Sequence, residues 1–288
     1  MSLGLNKTKR RIASIQSTQK ITKAMGMVAT VKLKRFRSVL DKGKEYADGL
    51  RETMGELFLH DFETRTHYGS ENEEVQGSLY IVITSSLGLC AGYNNNIFKY
   101  VEEHVDKEHD IIAPLGERGK AHFSHDPSYK NVELDFPNVD KVFDAKQINA
   151  LCLQIKNRFN ERKIRKVVLI FTEYINSISF EPREETLLPV QITPTPRKDE
   201  DYCPPIFEPS AREQIHLLMP YYLGGVLNHR IAESQLSEQA SRRNAMDNAN
   251  DNADELLNKL TIEYNKARQS AITQEIVEVV SGASNATK

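Results

Sequence analysis

Each end of this chain carries an apolar stripe that a lone helix could not keep in water. Near the C-terminus Met246, Ala249, Ala253, Leu256, Leu260, Tyr264, Ala267 and Ala271 follow one another at steps of 3, 4, 3, 4, 4, 3 and 4. Near the N-terminus Ile15, Thr22, Ala29 and Phe36 recur every seven residues. Both patterns are the seam of a coiled coil, in which apolar side chains return to one helix face every 3.5 residues. A seam must be covered, and the most economical cover for each terminus is the other one. The expected organisation is a helix over residues 1–60 paired with a helix over residues 209–285, with a separate globular domain over residues 77–195 between them.

Composition agrees with long exposed helices. Hydrophobic residues make up 39% of the 288 and charged residues 27%, somewhat less apolar material than a compact enzyme carries. The net charge of −2 conceals a strong asymmetry. From Met1 to Lys44 the basic residues are Lys7, Lys9, Arg10, Arg11, Lys20, Lys23, Lys32, Lys34, Arg35, Arg37, Lys42 and Lys44, against the single acid Asp41. A positive helix of this kind binds nucleic acid, acidic lipid or an acidic protein surface. Cys90, Cys152 and Cys203 are far apart and form no CxxC, which suits a reducing compartment. The N-terminus lacks the apolar core of a secretory signal. No apolar run nears membrane-spanning length, Val167 to Phe171 being among the longest.

Between the helices the pattern changes to alternating strands and helices. Ser78 to Thr84 and Lys166 to Thr172 read as buried strands, and Asp110 to Ala113 as a shorter one. Helices are expected over Asn94 to Lys107, Glu117 to His125 and Asp144 to Glu161, the last with Ile148, Leu151, Cys152, Ile155 and Phe159 on one face. Ile178 to Ile192 reads as an outer strand or hairpin broken by Pro182 and Pro189. Asp61 to Gln76 reads as a polar linker and Thr193 to Pro209 as a proline-rich connector. This order implies a doubly wound, Rossmann-like α/β domain. The final helix is expected from about Pro209 to Ser281, with Pro220 a point where it could kink. Its roughly 70 residues would span about 105 Å at the α-helical rise.

Reactive chemistry finds little support. The loop Ser85 to Asn95 follows a strand and precedes a helix, where phosphate loops sit. It lacks the Lys-Ser or Lys-Thr pair of a Walker A loop, and Gly88 and Gly92 do not make GxGxxG. Cys90 has no histidine in a motif relation to it and reads as packing. His122 and His125 are three apart, as metal ligands on a helix can be, but no further ligand spacing completes a set.

Three blocks resemble the gamma subunit of F-type ATP synthases: Arg10 to Leu33 (RRIASIQSTQKITKAMGMVATVKL), Gly88-Leu89-Cys90 followed by Asn94, and Ser237 to Asn285. Their order and spacing cover nearly the whole chain. Ala91 and Tyr93 depart from the family's GLCGG-x-N, and Gly26 stands where a charged residue is common. The resemblance implies a non-catalytic rotor shaft that couples rotation of a membrane ring to the conformations of the beta-subunit sites. It implies an antiparallel coiled coil, no catalytic residue, no cofactor and no metal. It implies as partners the alpha and beta subunits, the epsilon subunit and the ring of c subunits, with no nucleic acid and no membrane insertion. It places the chain peripherally at the cytoplasmic face of a bacterial plasma membrane. By resemblance Lys23, Met25, Arg242, Arg268, Gln269 and Thr273 face the catalytic ring, and Phe207 and Glu208 the membrane ring. A nucleic-acid-binding arm stays the alternative reading of the basic helix.

Overall fold

The computed structural model describes the backbone of residues 2–136, 145–192 and 205–286, with side chains described over 5–136, 147–192 and 205–280. Cys203 and most of the proline-rich connector lie outside the described residues. The contacts of the chain divide it into two units, Met1–Thr30 with Arg242–Lys288, and Val31–Ser241. Two helices enter both units: α1, Ser2–His60, and α6, Ala211–Ala286.

The first unit is an antiparallel helix pair. Gln19 Nε2 donates to Asp254 Oδ1 at 2.7 Å, and Thr22 Oγ1 donates to Asn250 Oδ1. One turn further on, a Cβ added to Gly26 would lie 3.5 Å from the Cβ of Met246. Partner numbers fall as those on α1 rise, which is the antiparallel sense. On α1 the inward stripe is Ile12, Ile15, Gln19, Thr22, Gly26 and Ala29, the last two buried. On α6 it runs through Met246, Ala249, Ala253, Leu257, Leu260 and Tyr264. Here the structure corrects the sequence reading by one residue. Leu256 is 37% exposed, and half-buried Leu257 continues the steps of 4, 3 and 4 that join Ala253 to Tyr264. Ala267 is exposed as well.

The second unit holds an α/β body. Its elements after α1 are α2 (Phe62–Gly69), β1 (Leu79–Ile83), α3 (Tyr93–His104), β2 (Ile111–Leu115), α4 (Glu117–His125), β3 (Asn131–Val132), α5 (Ala145–Asn160), β4 (Val167–Tyr174) and β5 (Phe180–Leu188). The sheet order is β3-β2-β1-β4-β5, parallel throughout except for the antiparallel β4–β5 edge. Strand side chains alternate between two apolar layers, as the pleat requires. Leu79, Ile81, Ile83, Leu115, Leu169 and Phe171 pack against α5 and against the parts of α1 and α6 in this unit. Tyr80, Val82, Ile112, Val168 and Ile170 pack against Tyr93, Ile97 and Val101 of α3 and Phe123 of α4. All five residues expected on the inner face of α5 are buried.

Three details differ from the sequence reading. The stretch expected as a linker contains α2, started by Asp61, whose carboxylate accepts from the Thr64 amide and hydroxyl. Tyr68 on this short helix is fully buried and reaches His216 Nδ1 at 3.0 Å. Pro182 does not break its strand, because β5 is an edge strand with one side free of ladder bonds. Pro220 leaves α6 continuous, since Met219 and Leu223 on either side of it are sealed in the core and packing outweighs the lost backbone bond.

Candidate interaction surfaces

The loop after β1 is built as a closed turn. The Ser85 amide donates to Asn94 Oδ1 at 3.0 Å, and Asn94 Nδ2 returns a bond to Ser85 Oγ at 2.7 Å and reaches Cys90 Sγ at 3.5 Å. Ser241 Oγ donates to the Cys90 carbonyl at 2.6 Å. Leu89 and Ala91 adopt positive φ of 62° and 46°, unusual for residues with a Cβ. A Cβ on Gly88 would sit 2.8 Å from Arg118 Nη2. The polar groups of the loop are therefore committed to its own shape, and Cys90, 3% exposed, is a packing residue. The turn lifts Leu87 and Leu89 into solvent. Next to it, Tyr93 OH meets Ser234 Oγ at 2.7 Å, and burial pushes this phenol far above its ordinary range.

All of the basic side chains between Lys7 and Lys44 are exposed. Among the described residues none of them enters an ion pair, so their charge is presented outward without local neutralisation. Lys23 is exposed within this band and Met25 is half-buried. Ile21, Met27 and Val28 are more than half exposed around them, giving a mixed apolar and basic surface. On α6, Arg268, Gln269 and Thr273 are exposed, and Thr273 Oγ1 donates to the Gln269 carbonyl one turn back at 3.0 Å. Ile272 among them and Ile276, Val277, Val279 and Val280 beyond them are all exposed. Arg242 differs from the rest: it is 5% exposed and so not part of this outer surface.

Phe207 and Glu208 lie elsewhere, in the second unit. Phe207 is half-buried, packs on the sheet core and tilts against His60 with ring centroids 5.0 Å apart. Glu208 is exposed, and its carbonyl accepts from Gln214 Nε2 at 2.7 Å. The side chain that points away from the body is their neighbour Ile206, 97% exposed, which the sequence reading passed over. Its signal was an apolar residue set directly after prolines in a charged connector. A cleft of about 880 Å³ is formed here by Glu52, Glu56 and Leu57 of α1, residues 205–208, and Gln214 and Leu218 of α6.

The histidines considered as ligands serve other ends. His122 stacks face to face on Phe98 at 3.9 Å, and His125 Nδ1 lies 2.6 Å from the Ala121 carbonyl. Among the described residues no helix is long and apolar enough to cross a membrane.

A family described as ATP synthase matches residues 4–285. The ATP synthase gamma chain of Ruminiclostridium cellulolyticum is 36% identical, covering 99% of both chains. The sodium-ion-specific ATP synthase gamma chain of Acetobacterium woodii is 32% identical, covering 98% of this chain and 99% of that one. Among solved structures, the central stalk and c-ring of Tetrahymena thermophila mitochondrial ATP synthase contains a chain that matches with a TM-score of 0.60 and 26% identity. That match covers 80% of this chain and 99% of the other.

Proposed function

This chain belongs to the ATP synthase gamma-chain family, and on that premise we propose that it turns as the central shaft of a rotary ATP synthase. The observation that carries the reading is the antiparallel helix pair of the first unit, with its outward basic band on α1 and bare apolar end on α6. The alpha and beta subunits surround this pair, and the epsilon subunit and the ring of c subunits meet the α/β body. The chain sits peripherally on the cytoplasmic face of a bacterial plasma membrane, as part of a complex driven by protons or sodium ions. Residues 1–60 and 209–285 form the shaft, and residues 77–195 the body.

In this reading the chain makes and breaks no bond itself. Each beta subunit has open and closed conformations, and the asymmetric shaft contacts them unequally, so that rotation changes which one is favoured. Broad charge attraction suits such a moving contact, because exposed Lys and Arg can exchange acidic partners without a fixed pocket. Lys23, Met25, Arg268, Gln269 and Thr273 face the catalytic ring. Arg242, buried in the free chain, is the least accessible of the positions expected at that ring, and Phe207 and Glu208, with Ile206, face the membrane ring. A nucleic-acid arm would leave the C-terminal stripe without a task, whereas that stripe covers α1.

The test is Arg268→Ala. Losing a charge-assisted hydrogen bond of about 1.5–3 kcal/mol lowers affinity for a purified alpha–beta ring by on the order of 10-fold or more. Thermal unfolding of the free chain should stay where it was, since Arg268 is exposed. Unchanged affinity and a fully coupled complex would remove Arg268 from the interface.

A further inference from the structure

At the sheet edge the long helices and the α/β body of the second unit share an ionic junction that the sequence gives no hint of. Arg230 on α6 donates through Nη1 to Glu233 Oε2 at 2.8 Å and through Nε to Glu185 on the edge strand β5. Its guanidinium lies 4.8 Å from the centre of the Phe171 ring on β4. Arg51 on α1 places Nη2 3.9 Å from the other oxygen of Glu185. Glu233 also accepts from the Tyr174 amide at the end of β4 at 3.4 Å. Each long helix therefore sends one arginine to the same carboxylate. The pairs at Arg230 are well shielded, with side-chain exposures of 25%, 24% and 10% for Arg230, Glu185 and Glu233. Burial alone would lower the Arg230 pKa, yet the hydrogen bond to Glu185, its charge and the bond to Glu233 together raise it.

Most of the remaining contact between these helices and the sheet is apolar, with Met54, Leu57 and Phe58 from α1 and Ile215, Met219, Leu223, Val226, Leu227 and Ile231 from α6. Beside it the Thr172 amide of β4 donates to Ser234 Oγ and Ser237 Oγ donates to the Thr172 carbonyl, each a single neutral bond. Apolar burial is strong but non-directional, and it resists separation better than sliding or rolling. A guanidinium held by two carboxylates and an aromatic face is directional, because its donors lie in a rigid plane.

We propose that Arg230 is a positioning residue that keys both long helices to the sheet edge through Glu185, so that twist passes between helix pair and body without slip. This rests on the shaft reading above. Lysine cannot replace it, since an ammonium offers neither the planar fork nor the stacked face.

The test uses Arg230→Met, Arg230→Lys and Glu185→Gln in the full-length chain, both alone and reconstituted into the complete complex. In the complex, a bead on the α/β body reports angular fluctuation while the catalytic ring is held. Fluctuation variance should rise two-fold or more with Arg230→Met and Arg230→Lys, and less with Glu185→Gln, which keeps an acceptor oxygen. Ions pumped per ATP hydrolysed should fall while the hydrolysis rate is kept. If Arg230→Met does not assemble, hydrogen exchange of the free chain decides. Faster exchange confined to the β5 amides and the facing turns of α6 supports the junction, and unchanged exchange there overturns it. Unchanged variance and unchanged coupling in an assembled Arg230→Met complex overturn this proposal alone. A complex in which the unmodified chain does not turn removes the shaft reading, and this proposal with it.

Discussion

Residues 1–30 and 242–288 bury few apolar side chains: among the described residues Ala29, Met246 and Leu260 are the ones fully covered. Residues 31–241 bury two apolar layers, one on each face of a five-stranded sheet. The same two helices take part in both units, so helix propensity does not explain the difference. What differs is how many faces of each helix find cover. In the second unit α6 is buried almost all round from Ile231 to Ser241. In the first, one narrow stripe per helix is covered and Ile21, Met27, Val28, Ile262 and Val279 remain more than half exposed. A helix pair of that kind keeps its structure by a thin seam and leaves the rest of its surface for contact with other subunits.

Substitutions can break or sharpen this contrast. The largest effect is expected from Phe159→Ala on α5, at a fully buried position in the larger core. It should cost about 3–5 kcal/mol in urea unfolding of the free chain. A loss below about 1 kcal/mol would mean that this unit is no better packed than the helix pair. Leu260→Ala in the seam should cost about 2 kcal/mol, the low end for a buried leucine, because a thin helix–helix seam can collapse into the space left by the side chain. Hydrogen exchange should rise over residues 5–29 and 246–271 and stay level in β1 and β4. Equal acceleration in those strands would show that the two units unfold as one. The smallest effect, of opposite sign, is expected for Gly26→Ala. Its new methyl would meet Met246 at 3.5 Å, an ordinary contact. Removing a glycine from a helix interior should then stabilise the pair by about 0.5–1 kcal/mol. A drop in helix thermal stability by circular dichroism would mean that the seam is tighter at this point than the distance implies.

Much of this architecture was legible from local pattern. The heptads marked both long helices, continuous apolar runs placed β1 and β4, and a 3.6-residue period placed the buried face of α5. Errors fell where the signal was short or ambiguous. Leu256 and Leu257 are chemically identical, and a stripe drawn through the wrong one still looks regular. Helix α2 has eight polar-rich residues, too few for periodicity, and only the Asp61 cap with Thr64 announced it. Strand β3 has two residues and owes its existence to pairing with β2.

The surface residues divide in the same way. The basic band could be read directly, because charge without nearby acids needs no partner to be recognised. The burial of Arg242, the exposure of Ile206 beside half-buried Phe207, and the meeting of Arg51, Glu185 and Arg230 could not. What the order of amino acids settled by itself was periodicity and charge: which segments coil, which extend, and which face of each is apolar, since these follow from neighbours three, four or two residues apart. What only the folded chain decided was which individual residues of distant segments meet. Contacts such as Thr22 with Asn250 and Arg230 with Glu185 exist because many weak burials, summed over the whole fold, outweigh the entropy of bringing those segments together.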